Sequence, residues 1–199
     1  MNENTGVTDE KPLNESTDNE ASSAEKDAQA FVQAVFNHEA GHAVMAVLRG
    51  GTIDHVSLPP GGSTIEAGQM VAYVKWRPGS QFTDNDYLAT FGGGAAADRL
   101  LQNAPGFPTE KMKGGGGLDR EVLRTWYRDS YAVELSEEKL DELFETGITH
   151  ALGNAEHLSV WRAICATAIN FHDASGRGET VINGDSLTKT IHSHLSSTS

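Results

Sequence analysis

The segment Phe36-Asn37-His38-Glu39-Ala40-Gly41-His42-Ala43-Val44 restricts this chain more than any other. In a helix, residues four apart lie on one face, so His38 and His42 can offer two imidazole nitrogens to a single metal ion, with Glu39 one step round. Zinc held in this way needs a further protein ligand and keeps a position open for water, whose proton a neighbouring carboxylate can accept. A chain that uses the segment so must build a helix there, turn both histidines inward and bring a third ligand from elsewhere. A pair of core histidines is the alternative, but a merely packed or structural pair has no need of Glu39.

At 199 residues the chain has the length of one domain with a real core. It carries 28 Asp and Glu against 15 Lys and Arg and no basic stripe, which argues against nucleic acid and anionic membrane as partners. No apolar run has the length of a membrane span, and Met1-Asn2-Glu3-Asn4 does not open a signal peptide, so the expectation is a soluble, cytoplasmic protein. Cys165 is the single cysteine, which excludes an internal disulfide and a Cys-based zinc knuckle; set in an apolar run, it reads as a buried structural thiol.

Residues 1–23 are polar and acidic and read as a disordered tail, leaving 24–199 as the folded domain. Ser22 and Glu25 have capping-box spacing, and the apolar positions that follow predict a first helix from about Ala24 to Leu48, ended by Gly50-Gly51. Gly41 inside it costs about 1 kcal/mol relative to Ala, which points to something packed closely there. Thr52 to Leu58 and Gly68 to Trp76 read as two antiparallel strands, and a free edge on the second could take an extended peptide as a further strand. His55 beside them is expected on the surface.

A second helix is expected from about Thr83 to Leu101. Its centre, Gly92-Gly93-Gly94-Ala95-Ala96-Ala97-Asp98, leaves room for another helix at close range, with Gly41 the residue that needs it. Asp98 then either accepts the second N–H of a metal-bound imidazole or lies exposed. Gly114-Gly115-Gly116-Gly117 leads to Asp119 at the start of a third helix, where Asp119 is either a helix cap or the third metal ligand; no P-loop ending follows the glycines, so nucleotide binding is not expected. Further helices are expected at Ser136 to Leu152, Ala155 to His172 and Gly184 to Leu195, with Leu158, Trp161, Ile164 and Ile169 among their core positions. His192 and His194 read as frayed surface.

Taken in order, His38-Glu39-Ala40-Gly41-His42-Ala43, the strand pair, Gly92-Gly93-Gly94-Ala95-Ala96 and the glycine-led Asp119 resemble the peptidase domain of the FtsH-type zinc proteases. The motifs match over residues 30 to 130 and only weakly beyond. The resemblance implies a mainly α fold, a helical zinc-peptidase domain with a small antiparallel β-ribbon or sheet beside the motif helix. It also implies one zinc ion per chain held by His38, His42 and Asp119, with Glu39 as the base. Where the family has an Arg and a Glu, this chain has Gly94 and Ala97, so of two acids only Asp98 remains. No Walker sequence or ATPase module is present, and an unfoldase acting in trans is the partner this leaves room for. The expected function is hydrolysis of polypeptide by a metal-activated water; the competing expectation is an inactive, zinc-stabilised protein-binding module of the same fold.

Overall fold

The computed structural model describes residues 16–59, 72–103 and 117–196, with backbone alone for 16–30. The motif segment is helical, as its spacing predicts, within α1 (Ser16–Leu48). This helix begins at Ser16, inside the stretch expected to be tail, so the Ser22 and Glu25 pair lies within α1 and does not cap it. Its end is the expected one. Gly50 adopts φ 86°, and the N–H of Gly51 donates to the Ala46 carbonyl at 2.8 Å, the six-to-one bond that satisfies a last-turn carbonyl and turns the chain into the first strand.

Three strands form one antiparallel sheet in the order β2-β1-β3: β1 (Thr52–Ser57), β2 (Tyr73–Arg77) and β3 (Val181–Asn183). Val56 is central, opposite Val74 on one side and Ile182 on the other, and a register shift between Ile53 and His55 marks a bulge. The third strand was not expected: Val181 and Ile182 are too short a run to register as a strand without β1 beside them. The mainly helical architecture with a small antiparallel sheet next to the motif helix is the expected one. Residues 1–15 of the tail, residues 60–71 and residues 104–116, with Gly114 to Gly116, lie outside the described residues.

The expected second helix is two helices. α2 (Asp84–Phe91) stops at Gly92, and α3 (Gly93–Gln102) continues from it. A Cβ at Gly92 would run into the backbone of Gly147 in α5 (Glu137–Ala155), so the break occurs where a third helix presses on the junction. α3 lies flat on α1. A side chain at Gly41 would strike the Gly93 carbonyl and lie 2.9 Å from the Ala97 methyl, and one at Gly93 would come within 2.7 Å of the Gly41 carbonyl. This contact is the reason for a glycine inside α1.

The remaining helices are α4 (Gly117–Tyr131), α5, α6 (Leu158–Gly176) and α7 (Gly184–Ser196). Ser136 caps α5 as expected, its Oγ accepting from the Lys139 N–H at 3.2 Å. On α6 the buried face is Val160, Ala163, Ile164, Thr167, Ala168 and Phe171, a continuous three-and-four spacing against α1. Leu158 and Ile169, expected in the core, are 59% and 56% exposed because they fall outside that stripe. Cys165 is half-buried, and burial pushes its thiol pKa up, which keeps it protonated and inert.

Gly41→Ala should destabilise the protein despite the better helix propensity of Ala. Forcing a methyl into the Gly93 backbone costs about 1–3 kcal/mol against a gain of about 1 kcal/mol. Urea denaturation of the variant should therefore give a lower midpoint, and an unchanged or raised midpoint would contradict the close α1–α3 contact.

Candidate metal centre

His38 and His42 project from successive turns of α1 toward α3, and Asp119 enters from the first turn of α4. The three side chains face one another at the corners of a small triangle, with Asp119 turning a different oxygen to each histidine. The Nε2 atoms of His38 and His42 are 3.2 Å apart, Asp119 Oδ2 is 3.0 Å from His38 Nε2, and Asp119 Oδ1 is 3.3 Å from His42 Nε2. One ligand atom from each, all within 4.8 Å of one another, could bind a single metal ion. Among the described residues this trio is the group of His, Cys, Asp and Glu able to hold a metal ion. Sequence spacing left Asp119 open between helix cap and ligand; the fold brings it to the histidines across 81 positions.

The other ring nitrogens show which atoms are available to the ion. Nδ1 of His42 donates to the Thr90 carbonyl at 2.8 Å. Since a carbonyl can only accept, Nδ1 carries the proton and Nε2 keeps its lone pair for the centre. Nδ1 of His38 lies 2.7 Å from Asp98 Oδ2, which orients the second imidazole in the same way. Of the two readings open for Asp98, the structure gives the buried one, hydrogen-bonded to the histidine. Its Oδ1 is buried with no partner among the described residues.

Gly94 is the residue that makes the space. A Cβ built on it would sit 2.5 Å from Nε2 of both His38 and His42, where an ion shared by the two nitrogens has to be. Beside these two nitrogens only a hydrogen fits at position 94.

Charge points the same way. Asp98, Asp119 and the half-buried Glu39 surround two imidazoles that are neutral as metal ligands. Without a cation, protons take that role. Burial disfavours the His38 imidazolium, but Asp119 and Asp98 outweigh it and hold its pKa well above the ordinary histidine value. The balance for His42 is similar, burial opposed chiefly by Asp119, with a net upward shift. Asp119 is half-buried; loss of solvent opposes its charge, yet the attraction of His42 and His38 holds its carboxyl far below the usual carboxylate range. For Glu39 burial dominates and raises the pKa, with His42 and His38 pulling it back.

Glu39 Oε2 accepts the backbone N–H of Val74 in β2 at 3.0 Å. This contact and the Thr90 carbonyl were invisible to sequence reasoning because both are main-chain groups. His55 is not part of the centre; its Nε2 pairs with the Tyr73 hydroxyl at 2.9 Å. His150, His157, His172, His192 and His194 form no metal-capable group among the described residues. No described helix is long and apolar enough to cross a membrane.

No protein-family model matches this chain, and a comparison with curated proteins gives no match.

Two outcomes test the centre. Gly94→Ala should abolish metal binding while circular dichroism shows the helical content intact; stoichiometric zinc retained by that variant would rule out the cavity described. Metal binding should also weaken on acidification. His38 is protonated up to a pH above its ordinary pKa, and that proton must leave as the ion enters. Apparent zinc affinity, titrated from about pH 9 down to about pH 6, should therefore fall toward about tenfold per pH unit for each proton displaced.

Proposed function

We propose that this chain is a zinc-dependent metallopeptidase. The observation that carries the reading is the Glu39 carboxylate set against the His38, His42 and Asp119 triangle, with one of its oxygens already held by an edge strand. His38, His42 and Asp119 would hold the zinc ion, which would supply a Lewis acid for a carbonyl and for a bound water. The chain's own residues do the rest. Val74 N–H fixes Glu39 Oε2, which leaves Oε1 to receive the water's proton and return it to the leaving amine. Burial gives that carboxyl a raised pKa, the direction a general base working near neutrality needs. Asp98 and the Thr90 carbonyl keep both imidazoles in the tautomer that turns Nε2 inward.

A polypeptide substrate is supported by the strand that carries Val74. β2 is an edge of the sheet, and among the described residues no strand pairs with its outer side. Val74 turns its N–H from β1 toward Glu39, and by the alternation of an antiparallel strand the N–H and C=O of Trp76 face the same way. An extended peptide added along that edge would run past Glu39. The resemblance to FtsH-type peptidases agrees with this reading and contributes the choice of zinc.

One observation favours a second reading, a zinc-stabilised binding module without proteolysis. The Glu39 to Val74 hydrogen bond also serves simply to fasten β2 to α1. Glu39→Gln separates the two readings. Under the peptidase reading the variant keeps one metal per chain and loses about 10²–10⁴-fold in cleavage of unfolded casein. Wild-type protein that holds zinc yet cleaves no member of a peptide library would establish the binding module instead.

A further inference from the structure

The third ligand sits on the helix with the least apolar anchorage. Within α4 only Leu123 is fully buried. The ion pairs of α4, Arg120 with Asp141 and Arg124 with Glu137, have exposed partners on α5 and contribute little to holding it. Yet the metal triangle tolerates little movement, since its edges of 3.0 to 3.3 Å would be lost if α4 shifted by about 1 Å.

Asp119, Leu123 and Trp126 follow one another at four and three positions and so share one face of α4. The Trp126 ring lies nearly parallel to Tyr87, with centroids 4.8 Å apart and planes at 25°, and its centroid is 5.8 Å from that of Phe91. Both partners belong to the end of α2 that supplies the Thr90 carbonyl for His42. The same two rings meet Trp76, at 5.8 Å for Tyr87 and 5.6 Å for Phe91, and Trp76 lies two residues along β2 from the Val74 N–H that holds Glu39. One cluster of rings thus joins the three elements that present Asp119, the support of His42 and the support of Glu39.

We propose that Trp126 is a positioning residue for the metal centre: its indole, stacked on Tyr87 and tilted against Phe91, sets where α4 delivers Asp119 relative to His38 and His42. The proposal rests on the metallopeptidase reading only for the presence of the metal. It assigns Trp126 no contact with substrate.

The test uses the full chain, with zinc affinity measured by chelator competition and cobalt(II) visible absorption as a report on coordination. Trp126→Leu and Tyr87→Leu should each weaken metal binding by about 10–100-fold. The cobalt spectrum of both should move toward that of Asp119→Asn, and Trp126→Phe should recover most of the loss. Ile191→Val, in the core of α7 and remote from the rings, should lower the melting temperature and leave affinity and spectrum unchanged. If Trp126→Leu behaves like Ile191→Val, with lower stability but wild-type affinity and spectrum, the proposal is overturned and Trp126 is ordinary packing. Should Trp126→Leu fail to fold, Tyr87→Leu decides by the same two readouts from the other side of the stack. Wild-type protein that binds neither zinc nor cobalt would overturn the metallopeptidase reading and this proposal together. Metal bound without peptidase activity would count against that reading alone, and the affinities would still decide the role of Trp126.

Discussion

The close approach of α1 and α3 is the contact on which the rest of the structure depends. Gly41 lies on Gly93, and one residue on, Gly94 faces the two imidazoles that α1 presents. Glycine is a poor helix former, costing about 1 kcal/mol per position relative to Ala. The chain accepts that cost at several places in a row because nothing larger lets two backbones pass at this range. What is gained is a rigid floor: a stripe of main-chain atoms and alanine methyls, with no long side chain that could swing into the space between His38 and His42.

Around that floor the polar groups form a network in two layers. The inner layer is His38, His42 and Asp119; the outer layer is the Asp98 carboxylate and the Thr90 carbonyl, each fixing one imidazole. Asp98 is buried with one oxygen lacking a partner among the described residues, while the half-buried Asp119 and the two imidazoles favour one another's charged forms. A buried charge costs free energy unless it is matched, and here the imidazoles are the groups that face the carboxylates. A metal ion could take the place of the imidazole protons, so the arrangement suits a metal-binding site.

The break between α2 and α3 shows how fold and site are made by the same feature. One helix gives way to the next where Gly92 lies against Gly147, and the Thr90 carbonyl at that junction accepts the His42 N–H. The aromatic residues just before the break then carry α4 and β2 with them.

Much of this was legible in the chain itself. Four-residue spacing placed His38 and His42 on one helical face, Gly50 marked the end of α1, β-branched alternation marked β1, and Ser136 marked the start of α5, because each is a local signal written in adjacent residues. The glycines at 41 and 92 to 94 announced a close contact, and it is the one the structure contains. Other features needed the fold. Whether Asp119 caps a helix or faces two histidines depends on where α4 docks; β3 exists only because β1 lies alongside it; the buried stripe of α6, which leaves Leu158 and Ile169 outside, is chosen by α1. The hydrogen bonds from Val74 and to Thr90 use main-chain atoms that every residue has, so no choice of side chain could reveal them. The sequence by itself determined which groups were available for a metal and a base. Tertiary structure decided their distances, tautomers and charge balance, because those are set by contacts between segments far apart in the chain.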